Sequence, residues 1–429
     1  MHTLKEKIRT TIPPPILEAL LTAYHFTLAH LGAILYNHPS RKLLVIAVTG
    51  TKGKSSTTEM VNAILEEAGY RTAVLNSIRF KVDHESETNL SRMSMPGRFF
   101  IQKFLSRAVR TGCNAAVLEM TSEGARQYRH RGVELDALIF TNLAPEHIES
   151  HGSFEAYANA KFEIGRQLAR SRKRPRIIVA NADDRESPRY LTLSVEEQLP
   201  FTLSANVPFE STDHGGHFQF EGTDIAIKLP GDFSLENALA AATLARALHI
   251  QTPTIAHALL KLDRIPGRAE RIEEGQDFTV VVDYAHTPDS LQALYTAYMS
   301  PTPLDTKRTL ICVLGSTGGG RDLWKRPVMG SIADTNCNQV ILTNEDPYDE
   351  DPRSIIDGLA RGMQRTPQII MDRREAIAHA IALAKTGDAV LITGKGTDPC
   401  ICGPRGSKIP WSDAQVVREE LKRRTSEPI

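Results

Sequence analysis

Residues 49–58, TGTKGKSSTT, follow the apolar run Leu43 to Val48, and this junction decides the fold. The run is too short for a helix and has Gly50 on its far side, so it reads as a buried strand. It empties into a loop in which Gly50 and Gly53 leave room for a ligand to approach backbone N–H groups. Lys54 and Ser55 come next, and a helical run (Thr58 to Ala68) follows. A strand, a glycine-containing turn and a helix start form an anion nest, with N–H groups and the positive helix end aimed at phosphate. Lys54 would reach the outer phosphates of a nucleoside triphosphate, and the Ser55 hydroxyl would ligate Mg²⁺. The full phosphate-loop pattern places another glycine where this chain has Val48.

The chain has 429 residues, enough for two or three domains. Lys plus Arg equals Asp plus Glu, at 51 each, so no net basic field favours nucleic acid. The five cysteines (Cys113, Cys312, Cys337, Cys400, Cys402) are scattered and odd in number, which argues for a reducing, cytoplasmic setting rather than a disulfide framework. A C-x-C pair such as Cys400 and Cys402 is not by itself a metal site. The start lacks the ordered basic head, apolar run and cleavage site of a signal peptide.

Residues 16–36, ILEALLTAYHFTLAHLGAILY, are long enough to cross a bilayer, but Glu18, His25 and His30 would be costly there. Leu17, Leu20, Leu21, Tyr24, Leu28, Leu31 and Leu35 recur at helical spacing, so the segment is expected to be a helix docked on the next domain through that face. Membrane contact is not expected. Pro13-Pro14-Pro15 prevents the helix from extending further back.

From residue 43 onward, short apolar runs (Ala115 to Glu119, Ala137 to Asn142, Ile177 to Asn181) alternate with helical stretches (Phe99 to Arg110, Phe154 to Ala169). A second series begins near residue 279 with strands Thr279 to Asp283, Thr309 to Leu314, Gln339 to Thr343 and Ala389 to Thr393. Ser354 to Met363 and Glu375 to Ala384 read as helices between them, and 231–249 as a long Ala-rich helix. The alternation predicts an α/β fold: a phosphate-loop central domain with a parallel-rich sheet, then a C-terminal Rossmann-like α/β domain. The domains are expected at 1–40 (a short helical segment), 41–267 and 268–429, with Ile265-Pro266-Gly267 as hinge.

Ligands of open α/β sheets sit beyond the carboxyl ends of the strands. Glu119 ends one strand, Asn142 another, His147 lies just after it, and Asn181, Asp183 and Asp184 end a third. Glu119 can hold a divalent cation, and a neutral His147 could supply nitrogen nearby.

Residues 40–429 resemble the Mur ligases, ATP-dependent enzymes that add amino acids to the peptidoglycan precursor, and within them the tripeptide-synthetase type that adds the third residue. The resemblance rests on TGTKGKSSTT, LEMTSEGARQYR (118–129), TNLAPEHIESHG (141–152), YANAK (157–161) and NADD (181–184). It continues through PGDFSLENALAA (230–241), IPGRAER (265–271), VDYAHTPDSL (282–291), GGGRDLWKRPVMG (318–330), NEDPYDEDP (344–352) and ITGKG (392–396).

The resemblance implies that Gly50, Thr51, Lys52, Gly53, Lys54, Ser55 and Ser56 hold the phosphates of ATP. Two Mg²⁺ ions would be held with the help of Ser55, Glu119 and His147. Lys161 matches a lysine that family members carbamylate; without the resemblance it reads as a helix-surface lysine paired with a carboxylate. Asn237, Arg268 and Asp283 match nucleotide contacts, with His286 near the adenine. Ser122, Gln127 and Arg129 match residues that hold the sugar and peptide part of the acceptor. Arg321, Asp346, Tyr348, Gly394 and Asp398 match the pocket of the incoming amino acid. The implied reaction phosphorylates a peptide carboxylate and ligates a free amino acid to it, with closure about the 267 hinge completing the site.

Three departures qualify the resemblance. Only about 40 residues precede the phosphate loop, where the family usually has a domain that grips the uridine nucleotide. The diaminopimelate-adding type carries Asp-Asn-Pro-Arg where this chain has Glu345-Asp346-Pro347-Tyr348, so a bidentate carboxylate clamp is lost, while Asp398 keeps an acid. Glu123 replaces a histidine of the acceptor stretch, and Ser94-Met95 replaces a Thr-Thr pair. Two related readings remain open for a non-UDP acceptor. A folylpolyglutamate synthase would show Asp-Gly-Ala-His-Asn-Pro at 283–288, and a lipid-linked-precursor amidating subunit usually carries a four-cysteine zinc ribbon. A non-catalytic member would be expected to lose Lys54, Glu119, His147 or Lys161, and all four are present.

Overall fold

The computed structural model describes residues 13–146, 148–204, 208–299 and 308–426. They divide into two compact units. The first comprises residues up to Leu143, Glu155–Phe201 and Ala240–Ile250; the second comprises Ala144–Phe154, Thr202–Leu239 and Gln251 onward.

The first unit is built on an eight-stranded sheet. Its strands are β1 (Leu44–Thr49), β2 (Thr72–Leu75), β3 (Arg79–Val82), β4 (Glu85–Thr88), β5 (Ala115–Glu119), β6 (Ala137–Phe140), β7 (Ile177–Asn181) and β8 (Glu197–Phe201). They lie in the order β4-β3-β2-β5-β1-β6-β7-β8. From β2 to β8 the pairing is parallel, and β3 and β4 add an antiparallel edge. The central strands are buried on both faces, which explains their continuous Val/Ile/Ala runs. The sequence reading did not include this edge hairpin. All four residues of β4 are exposed, so no apolar alternation marks it.

The second unit holds a six-stranded sheet and a small three-stranded antiparallel one, β9 (Phe209–Thr212), β10 (Gly215–Phe220) and β11 (Thr223–Ile227). The larger sheet comprises β12 (Glu270–Arg271), β13 (Thr279–Asp283), β14 (Leu310–Leu314), β15 (Gln339–Leu342), β16 (Gln368–Ile369) and β17 (Ala389–Thr393). Its order is β12-β13-β17-β14-β15-β16, parallel except for β12. A last hairpin pairs β18 (Cys400–Cys402) with β19 (Lys408–Pro410).

The cysteines depart from the expectation of scattered thiols. Cys312 on β14 and Cys337, just before β15, are joined by a disulfide, while Cys113, Cys400 and Cys402 are free and buried. Adjacent parallel strands return the two chain positions to within 6.1 Å between Cα atoms, a proximity that a separation of 25 residues conceals.

Helix α1 (Pro14–Leu35) starts at its proline, which supplies the φ that a first helical position needs. It docks, but not through the leucine face. Leu20, Leu21, Tyr24, Leu31 and Leu35 are exposed, whereas Ala29 and Ala33 are buried. Small side chains let the helix backbone approach closely: an added Cβ on Gly32 would touch the Phe99 ring at 3.4 Å, and one on Gly132 would meet Ala33 Cβ at 2.9 Å and Ala29 O at 3.0 Å. Among the described residues no helix is long and apolar enough to cross a membrane.

Gly132 also has φ +76°, a left-handed conformation that disfavours a side chain. Gly132→Ala is therefore expected to loosen the docking of α1 and destabilise the first unit by about 1–3 kcal/mol. Urea denaturation together with limited proteolysis of α1 checks this.

Candidate active site

Three strand ends of the first unit converge. Register pairs Val48 of β1 with Glu119 of β5, and Thr49 with Phe140 of β6. The phosphate-loop candidates, Glu119 and the Thr141-Asn142 pair therefore emerge at one level, where the strand order places a ligand crevice.

The turn after β1 depends on Gly50. Its φ is +149°, and an added Cβ would lie 1.9 Å from Thr141 Oγ1. Neighbouring backbone ties the loop down. Thr51 N donates to Asn142 O at 2.8 Å, Lys52 N to Asn142 Oδ1 at 2.8 Å, and Thr141 Oγ1 to Lys52 O at 2.7 Å. Gly53, at φ +79°, then turns the chain into α2 (Lys54–Glu67), which begins one turn earlier than the apolar periodicity implied. Lys54 Nζ folds back to Thr51 O at 2.9 Å, and Ser56 is half-buried on the first turn.

Glu119 is 3% exposed and accepts three hydrogen bonds. They come from Ser55 Oγ (2.8 Å) and Ser77 N (3.0 Å) on one oxygen, and from Ser94 Oγ (2.8 Å) on the other. Burial alone would push this carboxyl up. The Lys54 charge and the three donors outweigh it and hold the group below the usual carboxylate range.

Lys161 does not sit on a helix surface. It is 2% exposed, its Nζ donates to Gly50 O at 2.6 Å, and it lies 4.8 Å from the Tyr157 ring centroid. Tyr157 Oη in turn meets Thr51 Oγ1 at 3.0 Å. Lys161 is thus aimed at the phosphate loop. His147 lies outside the described residues.

The donor set fits Mg²⁺. A carboxylate and a serine hydroxyl 2.8 Å apart are hard oxygen ligands. Among the described residues no cage of three or more His, Cys, Asp or Glu side chains occurs, and Mg²⁺ usually takes one or two carboxylates and completes its shell with water and phosphate.

The acceptor candidates lie in the same unit. Ser122 is buried at the start of a short helix capped by the Thr121 hydroxyl. Gln127 Nε2 donates to Glu123 Oε1 at 2.6 Å, and Arg129 Nη2 donates to Gln127 Oε1 at 2.6 Å.

The nucleotide candidates Asn237, Arg268, Asp283 and His286 lie in the second unit. Arg268 covers the Tyr284 ring at 4.5 Å. Asp283 accepts from Ala269 N and Ala285 N at 2.6 Å each, and burial pushes its carboxyl up against the Arg268 charge. His286 spans Tyr284 O (2.7 Å) and Glu146 Oε1 (3.0 Å), while Asn237 is buried on its helix.

The amino-acid candidates gather beyond β14, β15 and β17. Asp346 is 1% exposed and engaged internally, its Oδ1 accepting from Lys395 Nζ at 2.7 Å and Cys402 N at 2.8 Å. Lys395 also lies 3.5 Å from Asp398. Tyr348 carries Arg321 over its ring at 4.9 Å, and Arg405 is exposed on a turn. The sequence reading passed over Glu345. Thr317 Oγ1 donates to its Oε1 at 2.8 Å, but its buried Oε2 has no donor. Gly394 packs directly against that oxygen, since a Cβ there would sit 2.2 Å away. Only the Lys395–Asp346 pairing reveals which of two adjacent carboxylates keeps an oxygen without an internal donor.

Glu119 titrates in a direction that stability can report. Its folded pKa lies below the unfolded value of 4.5, so its contribution is present above that value and is lost as pH falls through the folded pKa. Glu119→Gln is expected to flatten the loss of stability between neutral and acidic pH, read from denaturant midpoints across a pH series.

Residues 48–245 match the Mur ligase middle domain, and residues 267–396 match the Mur ligase glutamate ligase domain. The chain is 37% identical over 420 residues to the UDP-N-acetylmuramyl-tripeptide synthetase of Roseiflexus sp. (strain RS-1), covering 92% of this chain and 81% of that protein. It is 35% identical over 382 residues to the UDP-N-acetylmuramoyl-L-alanyl-D-glutamate–2,6-diaminopimelate ligase of Syntrophomonas wolfei, covering 86% and 76%. A solved structure of a ligase of that same name aligns with a TM-score of 0.60 at 27% identity, over 90% of this chain and 79% of that one. Mycobacterium tuberculosis folylpolyglutamate synthase shares the fold, with a TM-score of 0.67 at 16% identity over 89% and 97%. The strand-end geometry, both domain matches and these relatives agree: the chain belongs to the Mur ligase family.

Proposed function

We propose that the protein is an ATP-dependent, ADP-forming ligase that joins a free amino acid to the peptide carboxylate of a peptidoglycan precursor. Residues 41–267 are read as its ATP-binding domain and 268–429 as the domain that supplies the amino acid. The observation that carries the reading is the convergence of the Gly50–Ser55 loop, Glu119 and Lys161 at the carboxyl ends of central strands, in a chain of this family. Use of ATP favours a cytoplasmic setting.

An acceptor carboxylate oxygen attacks the γ-phosphorus of ATP, the bond to the β-phosphate oxygen breaks, and ADP leaves. The amino group of the incoming substrate then attacks the acyl carbon, loses a proton and expels phosphate. Loop N–H groups and Lys54 bind the phosphates and offset charge on the transferring group. Mg²⁺, held through Ser55 and Glu119, and a second ion with His147, would add electrostatic stabilisation. Carbamylation of Lys161 would replace a buried cation by an anion beside the loop. Ser122, Gln127 and Arg129 would hold the acceptor.

For the amino acid, the proposal departs from relatives named for 2,6-diaminopimelate. Tyr348 offers no cation to a second carboxylate, and Arg321 remains for the α-carboxylate. The buried oxygen of Glu345 that lacks a donor, with Asp398, favours an amine. A diamino acid without a second carboxylate, such as lysine or ornithine, fits this chemistry.

Phosphate release from ATP, measured across UDP-muramoyl-dipeptide, lipid-linked precursor and folate acceptors crossed with candidate amino acids, tests the activity. Ligation with no muramoyl acceptor would refute it. Lys161→Ala is expected to abolish ligation while leaving the fold and much of the ATP binding intact, and bicarbonate should restore activity to CO₂-depleted wild type. Near-normal turnover of Lys161→Ala would exclude the carbamate. Glu345→Gln is expected to raise KM for lysine or ornithine about tenfold or more. Competition with meso-diaminopimelate decides the side-chain preference, and a preference for it that survives Arg405→Ala would overturn the argument from Tyr348.

A further inference from the structure

Helix α1 has a second face that the first unit leaves uncovered. Its docked side is small: Ala29, Gly32 and Ala33 are buried against Gly132 and α3 (Arg98–Thr111). Phe99 and Gln102 of α3 would lie 3.4 and 3.6 Å from a Cβ on Gly32, and Gln102 Nε2 donates to Gly132 O at 3.1 Å. On the opposite side Ile16, Leu20, Tyr24, Leu31, Ile34 and Leu35 are each 50–67% exposed. At 3.6 residues per turn these six fall within an arc of about 100°, so they form one continuous stripe along the helix.

The spacing along the stripe is that of a seam between helices. Leu17, Leu20, Tyr24, Thr27, Leu31 and Ile34 follow one another at steps of three, four, three, four and three. Such a row presents its side chains as knobs to a second helix, and Leu21, Leu28 and Leu35 widen one edge of it. Six large side chains about half exposed amount to on the order of 700 Å², more than an ordinary monomer shows in one patch and close to the roughly 800 Å² that each partner gives a stable interface. A lipid surface matches less well. Helices that lie on membranes carry Lys and Arg around the apolar face. Glu18 is the only Asp, Glu, Lys or Arg between residues 14 and 35, and the side away from the stripe is taken by the protein itself.

We propose that this stripe is a homodimer surface, at which α1 of one chain packs on α1 of a second copy about a two-fold axis. Each residue of the stripe then serves both partners, so a self-complementary apolar row closes the assembly at two copies and leaves no end for a third. The first unit of each chain lies on the outer side of the helix pair, because it is docked on the face of α1 opposite the seam. The pairing is independent of the ligase reading, since no residue of the stripe belongs to the candidate active site.

Analytical ultracentrifugation of the full chain over a range of micromolar concentrations tests the surface. The wild type is expected to sediment with the mass of two chains. Leu31→Glu should weaken association about a hundredfold or more, because a two-fold contact brings the charge into the seam twice. Leu90→Glu, at an exposed leucine outside α1, should leave the dimer intact. Mild oxidation of Thr27→Cys, near the middle of the row, should give a disulfide-linked dimer absent from the wild type and from Leu90→Cys; this reading decides the matter should Leu31→Glu fail to fold. A wild type that stays monomeric at every concentration would overturn the proposal. Equal weakening by Leu90→Glu would also overturn it, since it marks unspecific apolar association. Flotation with vesicles of phosphatidylcholine and phosphatidylglycerol covers the other occupant. Binding of a monomeric wild type, lost in Leu31→Glu, would assign the stripe to a lipid surface and overturn the dimer.

Discussion

Glu119 must remain ionised while almost wholly enclosed, and the first unit is organised around that requirement. A buried carboxylate without donors would take up a proton. Here the donors come from three separate places: Ser55 on the first turn of α2, Ser77 after β2, and Ser94 ahead of α3. Each segment is fixed by its own packing, so the carboxylate is pre-oriented before a phosphate arrives. The same serine hydroxyl that holds Glu119 belongs to the loop that would receive the phosphates. Lys54, also on that loop, supplies the charge that keeps the acid ionised.

In the second unit the corresponding economy is between two neighbouring acids. Asp346 and Glu345 leave the end of β15 together, yet only one is available. Lys395 neutralises Asp346 inside the fold, and the Cys402 N–H takes the same oxygen. Breaking such an enclosed pair would leave a charge stranded, at about 3–5 kcal/mol. Asp346 is thereby a structural residue that shapes the loop, and Glu345 keeps a buried oxygen without a donor.

The parallel strands and the phosphate loop were legible because double-sided burial writes an unbroken apolar run and a tight turn demands glycine. Ala115–Glu119, Ile177–Asn181, Thr279–Asp283 and Ala389–Thr393 coincide with the runs read from composition. Edge elements were not legible. The Glu85–Thr88 strand faces water on all residues and carries no period of two, and β9–β11 alternate over only a few apolar residues, Phe218 with Phe220 and Ile225 with Ile227. The candidate residues at strand ends were readable from position alone. Glu345 was not, because its role depends on a lysine that lies 49 residues beyond its neighbour Asp346 and removes that neighbour from use. The buried setting of Lys161 likewise arises from Gly50, which is 111 residues distant in the chain.

Helix α1 inverts the ordinary grammar of amphipathic helices. Its intolerant positions are the small ones, Ala29, Gly32 and Ala33, against which Phe99 and Gly132 pack, while Leu20, Leu21, Leu31 and Leu35 stand in solvent. Over evolutionary time, in relatives that do not pair through this helix, the leucines can drift toward polar residues without disturbing the dock, whereas growth at any of the three small positions would push the helix away. A hydropathy profile of such a segment would therefore fade between distant homologues even where the contact itself persists. Tracing this helix across relatives calls for following the spacing of its smallest residues.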